Sequence, residues 1–231
     1  MNLYILKNKT QKIVVAFFCL VNLISYSQNS DTEQLFTNTT SLTSIDLRSK
    51  KLVGNSYIND IFLPARISSS KKISFVRYNA YLDEMEVEIK GKAYFLPKDY
   101  NYSIFFESNN KTYQLLSFEE NGLSKKGFFV VLKKGKKVSL FSKEKIKLYD
   151  EVPAKLGFTR YEPPILKRIK DEIYLEFKGN SIVKLPKKKK NLAPLFSVRS
   201  KEIALFIKNN KLNFKDVKDL IQIITFYNSM E

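Results

Sequence analysis

Residues 112–141 read TYQLLSFEENGLSKKGFFVVLKKGKKVSLF. The runs Thr112–Phe118, Gly127–Leu132 and Val138–Phe141 are rich in aromatic and β-branched side chains, which favour strands. Lys134-Gly135 separates the last two runs, at the spacing of a hairpin turn. Short apolar runs joined by short turns predict an antiparallel β-sandwich or barrel, and the pattern leaves both architectures open.

The same rhythm extends upstream of this stretch. Tyr94-Phe95-Leu96 and Tyr102–Glu107 are further strand-like runs, and Lys90-Gly91 and Asn109-Asn110 are further turn signals. We therefore expect a mainly β domain of roughly ten strands over residues 54–186.

Acidic and apolar residues alternate in the segment Glu84–Ile89. Met85 and Val87 are expected to face the core, and the glutamates to face solvent opposite lysines of neighbouring strands. An alternative stays open for Glu84 and Glu86. Residues two apart on a strand lie about 7 Å from each other, which permits a carboxylate-based hydrolase acting on glycans.

Residues 150–170 interrupt the strand pattern, because Pro153 and the pair Pro163-Pro164 predict a crossover loop. Strand signals return at Glu172–Phe177 and Ile182–Leu185.

A helical segment is expected over residues 187–231, packed on the sheet. Ser200 is placed as the cap of a helix that runs to Asn209, with Ile203, Phe206 and Ile207 on one face. Asn213 is placed as the cap of a second helix, with Asp216 at its third position. The apolar face of that second helix is expected to carry Phe214, Val217, Ile221 and Ile224. A shorter turn is predicted at Leu192–Phe196, with Pro194 in its first turn.

The N-terminus has the pattern of a cleavable signal peptide. Lys7, Lys9 and Lys12 precede the apolar run Ile13–Ile24, and small residues then lead to a predicted cut between Ser27 and Gln28. The run is too short for a membrane span, which needs about 20 apolar residues.

Cys19 is not expected to carry a lipid, since Phe17 and Phe18 precede it where small residues are required. Residues 1–27 are thus predicted to be removed, and residues 28–53 to form a flexible polar tail. The protein is expected in the periplasm or outside the cell, without a lipid anchor or a transmembrane segment.

Three stretches carry a family resemblance: Gly54–Asn59, Arg77–Glu86 and the closing helical pair Phe206–Tyr227. Together with the Ser-Tyr-Ser-Gln junction at residues 25–28, they resemble a family of exported β-rich proteins of Bacteroidota. The resemblance implies export and a β-rich fold, and the family has no established activity that could be carried over.

Composition excludes several kinds of chemistry. The chain has no histidine, and its single cysteine lies in the predicted signal peptide. Catalysis by Ser-His-Asp or Cys-His groups and His/Cys metal centres are therefore excluded. We expect no cofactor and no metal.

The chain carries 40 Lys and Arg against 23 Asp and Glu, which suits an anionic partner. Only six of the basic residues are arginines, which argues against specific recognition of nucleic acid. Two groups are candidate binding residues: the first is Arg77, Tyr78, Asn79 and Tyr81, and the second is Lys187, Lys188, Lys189 and Lys190. For both groups a structural role remains the alternative: a pairing of Arg77 with a carboxylate, and a solvent-exposed lysine loop.

The sequence therefore predicts an exported, non-enzymatic cell-envelope protein that binds a protein or an anionic envelope component. The glycan hydrolase is the alternative.

Overall fold

The computed structural model describes residues 37–38, 52–99, 101–157, 160–178 and 182–230. The chain divides into two units, Met1–Thr37 and Asn38–Glu231, and Thr37 is the only described residue of the first. The predicted signal peptide and most of the predicted tail lie outside the described residues.

The fold is mainly β, as predicted, with two α-helices near its C-terminus. The strands are β1 (Thr37–Asn38), β2 (Val53–Gly54), β3 (Leu63–Ile67), β4 (Ile73–Asn79), β5 (Glu84–Ile89), β6 (Lys92–Phe95), β7 (Ser103–Phe106), β8 (Lys111–Glu120), β9 (Leu123–Lys133), β10 (Val138–Lys143), β11 (Ile146–Tyr149), β12 (Ile165–Arg168), β13 (Glu172–Phe177) and β14 (Ile182–Lys184).

Five strands close a barrel in the order β8, β9, β10, β13 and β14, and β14 returns to β8. The first four pairings are antiparallel, but β14 pairs with β8 in parallel, with Ile182 opposite Phe118. The architecture is therefore a mixed barrel, which agrees with the predicted barrel-like fold, and its single parallel pair adds to the expected antiparallel pairing. A meander of five strands brings its first and last strands together in the same direction, so closure requires one parallel pair.

Strand β8 belongs to the barrel and to an open sheet at the same time. Its first half pairs with β7, with Ser103 opposite Gln114, and from β7 the sheet continues through β3, β4 and β5 to β6. Along its other edge β8 pairs with β9 from Tyr113 to Glu120. The long strand thus holds the open sheet against the barrel.

Tight turns connect the hairpins. Lys90 and Gly91 have positive φ angles of 52° and 75°, and Asn121 and Gly122 have 54° and 78°. Positive φ at both central residues is the geometry of a type I′ turn. The turn at Lys90-Gly91 was predicted; the turn at Asn121-Gly122 has the same chemistry and joins β8 to β9.

The prediction of a crossover loop over residues 150–170 was only partly correct, because this segment contains β12. That strand pairs with β11 in antiparallel and with β2 in parallel. Pro163 and Pro164 precede the strand, and the carbonyl of Pro164 accepts a hydrogen bond of 3.0 Å from the Val53 amide. The prolines therefore set where β12 begins, rather than preventing a strand.

Helix α1 spans Ser200–Asn209 and helix α2 spans Val217–Ser229, after 3₁₀ segments at Lys189–Asn191 and Ala193–Arg199. Ile203 and Ile207 of α1 are buried as predicted, and Pro194 lies in the first turn of its segment.

Both predicted helix caps were wrong. Ser200 is already helical and makes no capping hydrogen bond, since the N-cap of α1 is Arg199. The carboxylate of Asp216 caps α2 by accepting from the amides of Lys218 and Asp219. The start of α2 is therefore later than predicted, and its buried face is Leu220, Ile223 and Ile224, whereas Val217 is exposed.

Among the described residues, two apolar clusters lie at the barrel. Outside the barrel, α1 and α2 pack through Ile203, Ile207 and Ile224 against Leu140 of β10 and Leu175 of β13. Inside the barrel lies a second cluster, formed by Leu116, Phe118, Phe129, Phe141, Tyr174 and Ile182. Strand β10 is buried along its whole length because it serves both clusters.

Candidate functional site

A cavity of about 470 Å³ lies beside the C-terminal end of β10. It is lined by the turn between β4 and β5, by residues of β8 and β9, and by the segment that leads from β10 to β11. Its lining is Ala80, Tyr81, Leu82, Asp83, Lys98, Phe118, Glu120, Lys125, Lys126, Lys143, Lys145 and Ile146. Five ammonium groups thus surround one cavity together with two carboxylates.

The turn after β4 positions Asp83. The side-chain oxygen of Asn79 accepts a hydrogen bond of 3.1 Å from the Leu82 amide, and Asp83 then adopts a φ of 59°. Asp83 Oδ1 accepts from the Tyr78 hydroxyl at 2.7 Å and from the Phe128 amide at 3.1 Å. These two donors hold the carboxylate at the cavity and leave Oδ2 directed to a third partner.

That partner is Lys143, whose Nζ donates to Asp83 Oδ2 at 2.8 Å. Lys143 is only 3% exposed, and its Nζ lies 4.8 and 4.5 Å from the ring centroids of Phe118 and Phe129. Strand alternation places Lys143 on the same face of β10 as Phe141, inside the barrel. Gly127 provides the room, since a Cβ there would overlap both the Lys143 ammonium and the Asp83 carboxylate.

The other four lysines surround the rest of the cavity. Lys98 Nζ donates to the Asp83 carbonyl at 2.7 Å and to Glu84 Oε1 at 2.8 Å. Lys126 Nζ donates to the Asp99 carbonyl at 3.0 Å. An ammonium has three N–H donors, so these groups keep donors for a ligand.

Lys125 and Lys145 approach the same carboxylate from two sides. Their Nζ atoms lie 3.1 Å and 3.2 Å from the oxygens of Glu120, and Lys145 also pairs with Glu172 at 3.3 Å. The hydrogen bond from Lys125 lowers the pKa of Glu120 below its usual range, with Lys145 acting in the same direction. Glu120 therefore remains ionised and offsets only part of the positive charge.

The buried lysine differs electrostatically from its neighbours. Burial lowers the pKa of Lys143, and the charges of Lys98 and Lys145 act in the same direction, against Asp83. Burial by itself would lower the pKa of Lys145 as well. The carboxylates of Glu172 and Glu120 outweigh burial, so the pKa of the Lys145 ammonium is raised. The cavity thus combines Lys145, whose pKa is raised, with Lys143, whose pKa is lowered and which loses its proton more readily.

A positive cavity of this size suits an anion. Ammonium groups form charge-assisted hydrogen bonds to carboxylate and phosphate oxygens. Among the described residues, no three His, Cys, Asp or Glu side chains cluster so as to hold a metal ion.

The predicted residues Arg77 and Glu86 form a separate cluster, in which Glu86 is buried and Arg77 is partly exposed. Arg77 Nε donates to Glu86 Oε2 at 2.8 Å, and the guanidinium stacks on Tyr57 with 3.8 Å to the ring centroid. Tyr57 also donates to Glu86 Oε1 at 3.0 Å. The expected pairing of Arg77 with a carboxylate is therefore present.

The expectation that Glu86 faces solvent was wrong, since it is 2% exposed. The side chains of Tyr57 and Arg77 cover its face of the sheet. Glu84 is held by Lys98 instead. Neither Glu84 nor Glu86 belongs to the lining of the cavity.

The predicted group Arg77, Tyr78, Asn79 and Tyr81 does not form one surface. Tyr78 and Asn79 are 2% and 1% exposed and serve the turn that holds Asp83. Tyr81 is 36% exposed and lines the cavity. Strand alternation turns Arg77 and Tyr78 to opposite faces of β4, which separates them.

All four predicted lysines are exposed; Lys187 and Lys188 precede the first 3₁₀ segment, and Lys189 and Lys190 lie in it. They lie outside the cavity lining.

Sequence reasoning missed Lys143, Lys98 and Gly127. One signal for Lys143 was available, because it continues the alternation Ser139, Phe141, Lys143 on a strand with a buried aromatic residue. Its pairing with Asp83 joins positions 60 residues apart, and no local pattern reports such a contact.

A second buried carboxylate, Glu144, has a structural role. It is 2% exposed and accepts from Lys111 at 2.9 Å, from Arg168 at 2.8 Å and from the Tyr113 hydroxyl. Burial raises the pKa of Tyr113, and the charge of Glu144 acts in the same direction. Its donors come from β8 and β12, so Glu144 ties the β11–β12 hairpin to the barrel.

No family model, no curated protein and no solved structure matches the chain at a significant level. The function of the chain is therefore inferred from the geometry of its described residues.

Proposed function

We propose that the protein binds a small phosphate- or carboxylate-bearing ligand in the lysine-lined cavity. The observation that carries the proposal is the convergence of five lysines, from three separate segments, on one cavity whose lining includes two carboxylates. Glu84 and Glu172 pair with Lys98 and Lys145 from outside that lining, so among the described residues the five lysines are matched by four carboxylates. Side chains of a general solvated surface would point away from one another. Here Lys98 follows β6, Lys125 and Lys126 lie on the β8–β9 hairpin, and Lys143 and Lys145 lie at the end of β10 and just after it.

The architecture of the site favours a ligand of limited size. A volume of about 470 Å³ lies in the range of small-molecule pockets. Tyr81 and Leu82 add apolar surface beside the ammonium groups, so a ligand with an anionic group and a short apolar part would use both.

Export remains part of this proposal, on the strength of the N-terminal sequence. No helix in the described part of the chain is both long and apolar enough to cross a membrane. N-terminal sequencing of the protein from its native host is expected to begin at Gln28. A chain that retains Met1 and Cys19 would overturn the export proposal and leave the cavity proposal intact.

Calorimetric titration with inorganic phosphate and with citrate tests the binding proposal and separates the two ligand chemistries. We expect saturable binding of at least one anion, weaker at high ionic strength. Lys126→Gln removes one charge-assisted hydrogen bond and should weaken binding about threefold to tenfold.

The matched control is Lys201→Gln, an equal charge change at an exposed position of α1 outside the cavity. It should leave the affinity unchanged. Equal losses in both variants would show that only the net charge matters and would contradict a specific site.

A further inference from the structure

Lys143 differs from the other lysines of the cavity in its surroundings. Its Nζ lies beside the rings of Phe118 and Phe129, at 4.8 and 4.5 Å from their centroids, and Lys143 also lines the cavity. The other four lysines are half-buried or exposed. A ligand held by those lysines would therefore meet Lys143 at the apolar side of the site.

Such surroundings favour a reactive amine. A lysine attacks carbon only as the neutral amine, and desolvation or neighbouring cations make that form accessible. Both conditions act here, since burial and the charges of Lys98 and Lys145 lower the pKa of Lys143.

Asp83 supplies a proton acceptor in contact with the amine. Its Oδ2 lies 2.8 Å from Lys143 Nζ, within the reach that proton transfer requires. Its Oδ1 is held by the Tyr78 hydroxyl and the Phe128 amide, so the carboxylate cannot rotate away without losing two hydrogen bonds. Gly127 keeps the space between the two groups free of a side chain.

We propose that Lys143 forms an imine with an aldehyde or ketone that carries an anionic group, bound by the surrounding lysines. This inference rests on the proposed anion binding and names the class of ligand: a keto or aldehyde acid.

The chemistry balances without a further reactant. The Lys143 ammonium gives one proton to Asp83, and the neutral amine forms the C–N bond to the carbonyl carbon. A second N–H proton and the proton held by Asp83 leave with the carbonyl oxygen as water. The product is a protonated imine, so the net charge of the site is unchanged and Asp83 is again a carboxylate.

The test uses glyoxylate as the probe and sodium cyanoborohydride, which donates hydride to the imine carbon and fixes the adduct as carboxymethyl-lysine. Peptide mapping by mass spectrometry then measures the extent of modification at each lysine over time. We expect Lys143 to be modified at least about tenfold faster than exposed lysines such as Lys201, because only a small fraction of an ordinary lysine is neutral near pH 7. Modification of Lys143 at or below the rate of Lys201 would overturn the proposal.

Two further measurements define the role of the site. An excess of the non-carbonyl anion that binds in titration should protect Lys143 and leave Lys201 unaffected. Asp83→Asn should slow the Lys143 adduct while the rate at Lys201 stays constant. If a variant does not fold, the rates of modification measured at Lys143 and Lys201 in the wild-type protein are sufficient to test the proposal.

The failures of the two proposals are distinguishable. Anion binding without a Lys143 adduct refutes the imine and leaves the binding proposal standing. A fast Lys143 adduct that no anion suppresses shows a reactive lysine and contradicts the anion site. If neither is seen, both proposals fail.

Discussion

Lys143 Nζ lies 2.8 Å from Asp83 Oδ2, although the two residues are 60 positions apart in sequence. The pair connects the last residue of β10 to the turn that precedes β5, and its two side chains are 4% and 22% exposed. It therefore joins the barrel to the open sheet at the point where the cavity lies.

Removing the Asp83 carboxylate should lower the free energy of unfolding. Asp83→Asn leaves the Lys143 ammonium buried without its counter-ion, which costs about 3 kcal/mol in the free energy of unfolding. Urea denaturation measures the loss, with Asp150→Asn at an exposed position as the control, expected to change stability by less than about 0.5 kcal/mol. Lys143→Met should cost less, because Asp83 keeps two donors; a larger loss in Lys143→Met would contradict this account of the pair.

Gly127 should not tolerate a methyl group. A Cβ at this position would overlap Asp83 Oδ2 and Lys143 Nζ and would lie 2.9 Å from Phe118 Cε1. Gly127→Ala is expected to destabilise the fold by about 1–3 kcal/mol through overpacking. Ser124→Ala, at an exposed position of the same strand, is the control; equal stability of the two variants in thermal unfolding would be the contrary result.

Asn228 links helix α2 to the barrel through side-chain hydrogen bonds. Its Oδ1 accepts from the amides of Lys137 and Val138 at 2.8 and 3.1 Å, and its Nδ2 donates to the Val138 carbonyl at 2.8 Å. Asn228→Ala leaves these backbone groups unpaired, at a cost of about 2–3 kcal/mol. Hydrogen exchange should accelerate at the Val138 amide, whereas Gln222→Ala on the exposed face of α2 should leave that amide protected.

Glu86 should be needed for stability. Glu86→Gln removes the charge that balances the Arg77 guanidinium inside a covered cluster, and we expect a loss of about 2–3 kcal/mol. Glu88→Gln on the same strand is exposed and serves as the matched control. If Glu86→Gln abolished turnover of a glycan and left stability unchanged, the hydrolase alternative would gain support.

Acid should weaken the barrel partly through Glu172. Burial raises the pKa of Glu172, but the hydrogen bond from Lys184 and the charge of Lys145 outweigh burial and hold the pKa below its ordinary value of 4.5. Since the folded pKa is the lower one, the carboxylate stabilises the fold above about pH 4.5 and loses that effect as the pH falls through the folded pKa.

Stability measured against pH in urea tests this assignment. Glu172→Gln should flatten the acid side of the curve, and Glu119→Gln, an exposed acid on β8, should not. An unchanged slope in Glu172→Gln would show that other carboxylates account for the acid sensitivity.

Local patterns predicted the strands and the helical segment because they depend on neighbours in sequence. The alternation in β5 correctly assigned Met85 and Val87 to the core, which are 0% and 3% exposed. The same alternation was wrong for Glu86, because the other face of that strand is covered by Tyr57, which comes from a distant loop. Alternation shows that a strand has two different faces, but it does not show which residues pack on each face.

The candidate site could not be predicted for the same reason. Lys143, Asp83 and Gly127 lie in three separate segments, and their relation depends on barrel closure. The parallel contact between Ile182 and Phe118 closes the barrel. It cannot be recognised from the composition of either strand.

That closing contact has a consequence for synthesis on the ribosome. Strand β14 is made last among the strands, so a nascent chain that has not reached Ile182 leaves the C-terminal half of β8 with an open edge beside Phe118. Such an edge is a template for strand addition between molecules. Chains that terminate before Ile182 are therefore expected to associate through this edge.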